Sequence, residues 1–351
     1  MHEPAPGFHP RQAEEEHRQS DFFEPSLRHD GLRIQTMPSE LVVTGALNWD
    51  VNLFVKRLPR RGEEVVVERI ERVPGGKGGN VSVAAARILG PDRVALMGCV
   101  GKDDVGRKQI SFLREEGVNT AAVQVLDRIE SGQAYISIEQ NGSNIIETHF
   151  GANARLALEH IMSPAVQSIL GSSSMMVVID PPRRLAGKML AEARRLRKTV
   201  LWHPGVLTRF GVKEFEKEMG DLDYLAVNEH EAARFAGKRG LENSLARLAK
   251  AAPRAKVIVT LGAKGVAFYE RGKMSKIDSV SVDKLGKTVV NTTGSGDAFV
   301  GAFAAQKILG KNDSEALKYA NMAGALKATK AETRGSPAKK ELEEAYRKYF
   351  G

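Results

Sequence analysis

From about residue 40 to the C-terminus, short apolar runs alternate with longer segments whose apolar positions recur at helical spacing. Short apolar runs indicate buried strands, and helical spacing indicates amphipathic or buried helices. Strands are predicted at Leu41–Gly45, Val94–Val100, Met175–Asp180, Tyr224–Val227, Lys256–Leu261 and in the apolar segment before Asn291. Helices are predicted at Asn80–Leu89, Val105–Glu116, Arg183–Arg197, Ser314–Ala328 and from Ala298 to about Ile308. This alternation predicts an α/β fold, in which a mainly parallel, Rossmann-like sheet carries helices on both faces.

One region departs from this alternation, because strand-like segments follow one another there without a helix between them. The first pair is Val51–Val55 and Glu64–Ile70, and the second is Ala134–Ile138 and Asn144–Thr148. Strands joined without a crossover helix form antiparallel pairs. We therefore expect a small antiparallel sheet, made from about residues 50–72 and 133–149. As a lid, it would exclude water from a reaction site.

Residues 1–38 lack hydrophobic periodicity and contain four basic and seven acidic residues, a net charge of −3. Such polar segments do not bury enough apolar surface to fold, so a disordered N-terminal extension is predicted. The segment lacks the apolar stretch of a secretory signal and is more acidic than a typical transit peptide. Residues 39–351 are predicted to form one α/β domain that includes the lid strands.

Composition narrows the expected setting and partners of the 351-residue chain. No apolar run approaches the ~18 residues of a membrane span, so no membrane partner is expected. Cys99 is the single cysteine and forms no internal disulfide, which predicts a cytoplasmic location. The net charge is +9, but the basic residues are dispersed and few aromatic residues lie between them. No nucleic-acid partner is expected, and the charge instead attracts anionic substrates.

The strongest chemical signal is the segment NTTGSGD at residues 291–297, which precedes a predicted helix. Gly294 and Gly296 let the backbone turn with N–H groups facing outward, and a helix N-terminus stabilises negative charge. Asp297 is then placed to take a proton from a hydroxyl while the N–H groups of Gly294, Ser295 and Gly296 hold a phosphoryl group. The helix dipole is also predicted to keep Asp297 ionised at neutral pH. The alternative is an ordinary glycine turn in which Asp297 only caps the helix.

A second glycine-rich segment, PGGKGGN at residues 74–80, precedes the predicted helix Asn80–Leu89. Four glycines within five residues predict a turn and not a regular element. Lys77 and Asn80 add a cation and an amide, groups that suit a polyhydroxylated or anionic small molecule. The alternative is a flexible surface loop with a solvated lysine.

These two segments resemble the two signature motifs of the ribokinase-like, PfkB-type carbohydrate kinases. Three further segments resemble motifs of that family and occur in the expected order: NWD at 48–50, NEHE at 228–231 and TLGAKG at 260–265. Residues 135–154 resemble the ribokinase branch of the family. Five ordered motifs, spread from about residue 40 to the C-terminus, are far more specific than any one of them. A Walker A loop is excluded, because Ser281 stands where the loop before Gly286-Lys287-Thr288 needs its first glycine.

The resemblance implies an ATP-dependent sugar kinase that phosphorylates a primary hydroxyl of a pentose, with ribose giving ribose 5-phosphate. A nucleoside kinase or a sugar-phosphate kinase of the same fold is an alternative, as is a nucleotide-binding regulator without turnover. The resemblance also implies ATP and Mg²⁺ as cofactors, and a homodimer joined through the lid.

The resemblance assigns a role to each motif residue. Asp297 would be the catalytic base, next to an anion hole formed by Gly294, Ser295 and Gly296. The sugar would be held by Asn48, Asp50, Gly76, Lys77, Asn80, Asp180 and Asp297. Asp180 is one methylene shorter than the glutamate that the family has in this place. The nucleotide would be held by Asn228, Glu231, Thr260, Gly262, Gly265 and Asn321, with Glu231 acting on Mg²⁺ through water.

Asn291 stands where potassium-activated members of the family carry an aspartate. Loss of that negative charge weakens a site for a monovalent cation. The sequence therefore predicts weak or absent activation by potassium.

Overall fold

The computed structural model describes residues 38–140 and 143–351. The disordered extension predicted for residues 1–38 lies outside the described residues, apart from Pro38. Within the described part of the chain, no helix is both long and apolar enough to cross a membrane.

The strands of the described residues form two sheets. They are β1 (Leu41–Thr44), β2 (Asn48–Val55), β3 (Val67–Gly75), β4 (Val94–Gly101), β5 (Val118–Asn119), β6 (Val123–Leu126), β7 (Gly132–Glu139), β8 (Asn144–His149), β9 (Met175–Ile179), β10 (Thr199–His203), β11 (Tyr224–Asn228), β12 (Lys256–Thr260), β13 (Val266–Glu270) and β14 (Lys273–Ile277). The larger sheet has the order β14-β13-β12-β11-β10-β9-β1-β4-β5, with β6 also paired to β4. Its pairs are parallel except β12–β13 and β13–β14. The predicted α/β fold with a mainly parallel sheet is confirmed.

Helices cover both faces of the larger sheet. They are α1 (Lys77–Leu89), α2 (Asp104–Glu115), α3 (Leu158–Ile161), α4 (Pro164–Ser172), α5 (Arg183–Arg195), α6 (Glu216–Met219), α7 (Glu229–Ala236), α8 (Leu241–Ala251), α9 (Ser295–Ile308), α10 (Asp313–Ala328) and α11 (Lys339–Phe350). Successive strand residues point to opposite faces, so Leu41 and Val43 join a core with α1, α9 and α10, whereas Val42 joins a core with α5, α7 and α8.

Helices α1 and α9 approach each other closely because Gly301 lies at their contact. A Cβ at Gly301 would lie 2.6 Å from the Val81 carbonyl oxygen and 2.6 Å from the Ala84 Cβ, closer than real side chains allow. Residues 298–306 of α9 are buried throughout, so the helix is fixed along nearly its whole length. This packing fixes the N-terminal ends of the two helices, which carry the two glycine motifs.

The smaller sheet has the order β3-β2-β7-β8 and contains the four segments predicted for it, except that β3 begins at Val67 and not at Glu64. The outer pairs β2–β3 and β7–β8 are antiparallel, as expected, and the central pair β2–β7 is parallel. Asn48, the first residue of β2, is paired with Gly75 on one side and Gly132 on the other. The sheet therefore begins at the residues that the motifs assign to the sugar.

Two other local predictions are wrong. The apolar segment before Asn291 is not a strand: Val289 and Val290 are about 60% exposed, and the N–H groups of Val290 and Asn291 donate to the Ala328 carbonyl instead of to a neighbouring strand. Helix α1 begins at Lys77 and not at Asn80, because its first turn accommodates the buried Gly78 and Gly79. The first of these glycines lies against the backbone of Gly45, which leaves no room for a side chain.

Candidate active site

A cleft of about 1660 Å³ lies at the carboxyl ends of the central strands. Strand β1 lies between β4 and β9. Strands β4 and β5 extend the sheet from β1 in one direction and β9 and β10 in the other, so the strand order reverses between β1 and β9. Open α/β sheets bind ligands at such a switch point. Gly45 after β1, Asp180 after β9 and His203 at the end of β10 all line the cleft.

The cleft brings the two glycine motifs together. Asn80, in the first turns of α1, donates from Nδ2 to Asp297 Oδ2 over 2.8 Å. Asp297 lies in the first turn of α9, where the N–H groups lack intrahelical acceptors. The interpretation of residues 74–80 as a flexible surface loop is therefore wrong, because Asn80 is buried and bound to the proposed base.

The surroundings of Asp297 raise its pKa, an effect that the sequence did not indicate. Burial raises the pKa of Asp297, while the hydrogen bond from Asn80 and the charge of Lys77 lower it and do not fully compensate. Desolvation thus outweighs the helix dipole, on which the prediction of an ionised Asp297 rested, and ionisation at neutral pH stays a prediction. A carboxylate with a raised pKa is a stronger base, which suits proton abstraction from an alcohol.

The turn before α9 has the form of an anion site. Gly294 has φ +83°, and a Cβ there would overlap the Thr333 carbonyl oxygen. The Ser295 N–H already donates to Thr292 O over 3.1 Å, so among the described residues the first-turn amides free for an anion are those of Gly296 and Asp297. The Ser295 Oγ is buried without a hydrogen-bond partner within the described residues. A hydroxyl without a hydrogen-bond partner, free backbone amides and a glycine turn together fit a phosphoryl group.

The residues assigned to the sugar line the same cleft: Asn48, Asp50, Gly76, Lys77, Asn80 and Asp180. Asn48 Oδ1 accepts from Asn153 Nδ2 over 2.9 Å, which orients the Asn48 amide group. Asn153 also holds both the N–H and the carbonyl of Leu47, so it fixes the entry into β2. A Cβ at Gly75 would overlap the Asp50 carboxylate, and glycine there is what allows Asp50 to be buried.

Lys77 and Asp180 form an ion pair in the cleft, with Lys77 Nζ 2.7 Å from Asp180 Oδ2. Burial lowers the pKa of Lys77, but the charges of Asp180, Glu231 and Asp297 outweigh burial and raise it, so the side chain is cationic. Asp180 has φ +43° and accepts at Oδ1 from the Val206 N–H over 2.6 Å. Its shorter side chain is thus held by the backbone of the next loop.

Asn228 and Glu231 form a capping box at the start of α7 and also line the cleft. Glu231 Oε2 accepts from the Asn228 N–H over 2.9 Å, and Glu231 Oε1 lies 3.9 Å from Lys77 Nζ. His203 Nε2 lies 3.8 Å from the Glu231 carboxylate, and burial lowers the pKa of His203. Within residues 38–140 and 143–351, no three His, Cys, Asp or Glu side chains cluster as metal ligands would.

The other residues assigned to the nucleotide lie outside the lining of this cleft. Thr260 pairs with Asn228 across β11 and β12, so it lies at the same sheet edge. A Cβ at Gly265 would overlap the Ile277 carbonyl oxygen, and Asn321 Nδ2 donates to Asp278 O over 2.6 Å. Gly265 and Asn321 therefore both contact residues 277–279. Gly262 begins the short turn that joins Thr260 to Gly265. Their role towards a nucleotide stays a prediction.

Sequence reasoning missed Arg334, a buried arginine beside the proposed base. Its Nε donates to Asn80 Oδ1 over 3.0 Å, and its Nη2 donates to Gly75 O over 2.7 Å and to Gln109 Oε1 over 3.0 Å. Burial lowers the pKa of Arg334 to about 10, so it is charged at neutral pH. Arg334 lies in an irregular segment after α10, and no motif marks it.

Comparison with known proteins gives one family across most of the chain. Residues 38–340 match the model of the pfkB family carbohydrate kinases. A ribokinase of Schizosaccharomyces pombe is 30% identical over 298 residues, which cover 82% of this chain and 91% of that protein. An ATP-dependent ribose-1-phosphate kinase of Halopiger xanaduensis is 26% identical and covers 84% of this chain and 93% of its own. The structure of Arabidopsis thaliana ribokinase complexed with ribose and ATP matches with a TM-score of 0.78 and 25% identity, covering 89% of this chain and 99% of that one.

Proposed function

Because the chain belongs to the pfkB family of carbohydrate kinases and is thus a phosphotransferase with an alcohol acceptor, we propose that it phosphorylates ribose at its primary hydroxyl. ATP is the proposed donor and ribose 5-phosphate the product. One observation carries the proposal: Asp297 lies at the start of α9 and is bound to Asn80 from the sugar-side motif. A base, free helix amides and the sugar-side residues thereby line one cleft.

Asp297 takes the proton of the sugar hydroxyl in the proposed reaction. Its Oδ2 accepts from Asn80, so Oδ1 receives the proton. The sugar oxygen forms a bond to the γ-phosphorus as the bond from that phosphorus to the leaving oxygen of ADP breaks. The free N–H groups at the start of α9 hold the negative charge on the phosphoryl group during transfer. Lys77, which is paired with Asp180, stabilises the ionised form of Asp297 through its charge.

Asn48 and Asp50 are proposed to bind vicinal hydroxyls of the sugar, since a carboxylate accepts from two hydroxyls at once. Gly76, Lys77, Asn80 and Asp180 hold the opposite side of the ring. Asn48 needs no rearrangement for this role, because Asn153 already fixes its amide group.

Mg²⁺, when bound with the nucleotide, neutralises phosphate charge. Glu231 fits an indirect contact through water better than direct ligation. One of its oxygens is bound to the Asn228 N–H, and the residue is only 6% exposed. Asn228 itself would contact phosphate.

A sugar phosphate is the second candidate acceptor. The similarity to a ribose-1-phosphate kinase supports it, and several basic side chains of α5 line the cleft, among them Arg184 and Lys188. A nucleoside kinase of the same fold is the third.

A screen of ATP consumption separates these acceptors. We expect turnover with ribose to exceed turnover with ribose 1-phosphate, ribose 5-phosphate, fructose, adenosine, cytidine and uridine. A higher kcat/KM for a phosphorylated sugar or a nucleoside would replace ribose as the substrate. No turnover with any acceptor, together with intact ATP binding, would favour a regulator.

We also propose a homodimer joined through the smaller sheet. All six residues of β8 are exposed, among them Ile145 and Ile146, and Ile70 of β3 presents apolar surface at the opposite edge of the sheet. Exposed apolar patches of this kind mark interfaces. Sedimentation equilibrium giving only the monomer mass at micromolar concentration would contradict the dimer. A cytoplasmic location stays a prediction from the single cysteine, Cys99.

We expect Gly294→Ala and Gly296→Ala to change stability in opposite directions. Gly294→Ala forces a Cβ onto the Thr333 carbonyl at positive φ, which costs about 2 kcal/mol or more in the free energy of unfolding. Gly296→Ala adds a Cβ with no heavy atom within 4 Å, inside a helix where alanine is favoured. Urea denaturation of both variants measures this. Gly296→Ala should still lower kcat, because Gly296 lines the cleft and its Cβ would take space beside the proposed anion site. An unchanged kcat would exclude close approach of the phosphoryl group there.

We expect sugar affinity to rise with pH because of Asp50. Burial raises the pKa of Asp50 to about 7, against the lowering effect of Arg334. The ionised carboxylate accepts from two hydroxyls at once, whereas the protonated carboxyl group has less acceptor capacity and no charge, so the affinity for ribose without nucleotide should rise about tenfold from pH 6 to pH 8. Titration calorimetry measures this affinity. Asp50→Asn should bind more weakly without that rise, whereas Asp297→Asn should keep it; a wild-type affinity independent of pH would contradict the assignment.

A further inference from the structure

Lys327, in the last turn of α10, is completely buried in the structure. Its Nζ donates to the carbonyl oxygen of Asn291 over 2.8 Å and contacts that of Lys330 at 3.5 Å. None of the ion pairs within 4.0 Å in the described part of the chain includes Lys327. A buried cation is therefore held by backbone carbonyls and not by a carboxylate.

Such burial is costly, since a lysine is seldom fully buried without an anionic partner. Burial lowers the pKa of Lys327 to about 8, while the charges of Glu332 and Asp297 act to raise it. The side chain is thus mainly protonated at neutral pH. Packing alone does not explain a charge here, because leucine or methionine would fill the same space without the desolvation cost.

The two carbonyls belong to two segments that contact each other beneath the anion site. We call residues 291–294 and 330–333 the two-loop cradle. Asn291 Nδ2 donates to Ala331 O over 2.7 Å, and Asn291 Oδ1 accepts from the Thr293 N–H over 2.9 Å. Gly294 lies against the Thr333 carbonyl. Any shift of the cradle therefore moves the turn that presents the amides of α9.

Carbonyl oxygens from two converging loops are the ligands that an alkali cation takes, and an ammonium group is close to potassium in size and charge. We infer that the Lys327 ammonium is a built-in cation that holds the two-loop cradle in shape, so that phosphoryl transfer needs no bound monovalent cation. Lys327 is then a positioning residue, which acts through the turn at Gly294 and touches neither substrate. The inference rests on the proposed kinase activity and adds the residue that replaces the ion.

A simpler role is possible for a lysine at the end of a helix, namely to satisfy the last carbonyls. Lys198 provides the matched case, because its Nζ donates to Gly171 O over 2.7 Å and to Ser173 O, away from the cleft lining. Removing Lys198 should cost stability without any dependence on the cation. The two lysines therefore separate a structural contact from a functional charge.

The test compares wild type, Lys327→Met and Lys198→Met in chloride salts of tetramethylammonium, sodium, potassium and ammonium. We expect wild-type kcat to change less than about twofold between the salts. In tetramethylammonium, Lys327→Met should lose about 10²-fold in kcat, the loss typical of a misplaced reacting group. Potassium or ammonium should raise the kcat of Lys327→Met by at least about tenfold, because either ion can enter between the freed carbonyls. Lys198→Met should keep wild-type kcat in every salt.

A second measurement does not depend on turnover. Without substrates, the melting temperature of Lys327→Met should rise in potassium relative to tetramethylammonium, whereas wild type and Lys198→Met should show no such difference. If no acceptor is phosphorylated by wild type, the proposed function fails, and the melting comparison still decides whether the cradle takes a cation. Lys327→Gln, which keeps a donor without the charge, serves as the second variant if methionine prevents folding, and it should show the same potassium effect.

Two results would overturn the inference. The first is a wild-type enzyme that itself needs potassium for turnover. The second is a Lys327 variant whose kcat and melting temperature are the same in potassium and in tetramethylammonium, which would leave Lys327 a structural contact like Lys198.

Discussion

Replacing Asp297 by asparagine lowers kcat for sugar phosphorylation by about 10³-fold, while ATP still binds. The amide keeps the shape of the side chain but cannot take the proton of the sugar hydroxyl. The hydrogen bond from Asn80 is still available to the amide oxygen, so the geometry of the cleft should persist. The loss should appear in kcat and not only in KM, because the proton moves in the transition state.

The change in stability caused by Asp297→Asn can also be predicted. Burial raises the pKa of Asp297, so the folded protein binds this proton more tightly than the unfolded chain does. The free energy of unfolding therefore falls with rising pH, beginning at the ordinary pKa of aspartate and ending above the raised pKa of Asp297. Asp297→Asn removes that cost and should melt at or above the wild-type temperature at pH 8. A catalytic group that weakens the fold is expected at an active site.

Asp104→Asn is the matched control, because Asp104 also lies in the first turn of a helix but is exposed and paired with Arg107. It should keep wild-type kcat. Two assays are needed, initial rates by a coupled ADP assay and ATP binding by calorimetry. Undiminished kcat in Asp297→Asn would remove the proposed base, and loss of ATP binding would make its role structural.

The alternation of strands and helices was readable from the sequence because buried parallel strands are short and continuously apolar. The segment 286–290 shows the limit of that reading. Val289 and Val290 form an apolar run, yet both are exposed, and the N–H groups of Val290 and Asn291 bind the end of α10 instead of a strand. Local hydrophobicity does not reveal which partner the backbone will find.

The glycine motifs were readable for a different reason, since a close approach or a positive φ requires glycine whatever the rest of the fold is. What surrounds the motifs was not readable. Asp297 meets Asn80 of α1 where the two motifs come together, and desolvation there outweighs the effect expected from the helix dipole alone. Lys327 and Arg334 could not be recognised from the sequence, because lysines and arginines are common on surfaces. Among the described residues, only tertiary packing marks these two as buried.

Arg334 links the smaller sheet to the proposed base through three hydrogen bonds of its guanidinium group. Its guanidinium group donates to Asn80 Oδ1, to the Gly75 carbonyl at the end of β3 and to Gln109 Oε1 of α2. By taking the Asn80 oxygen, the guanidinium turns the Asn80 NH₂ group towards Asp297. The charge of Arg334 also lowers the pKa of Asp50 and so opposes the effect of burial there. One residue thus controls the orientation at the base and the charge at the sugar side.

Arg334→Lys is expected to lower kcat by about 10²-fold with the protein still folded, because an ammonium cannot bind Asn80 and Gly75 with the geometry of the guanidinium group. Arg334→Met should instead lower the free energy of unfolding by about 3 kcal/mol, since it leaves several buried acceptors unpaired. Arg87→Lys is the control: Arg87 holds the same segment through the Arg334 and Ser336 carbonyls at 2.9 and 2.6 Å without touching Asn80. Steady-state kinetics and urea denaturation of the three variants decide between the roles. If Arg87→Lys loses as much kcat as Arg334→Lys at equal stability, the loss comes from loosening of residues 334–336, and the orientation of Asn80 by Arg334 is excluded as its cause.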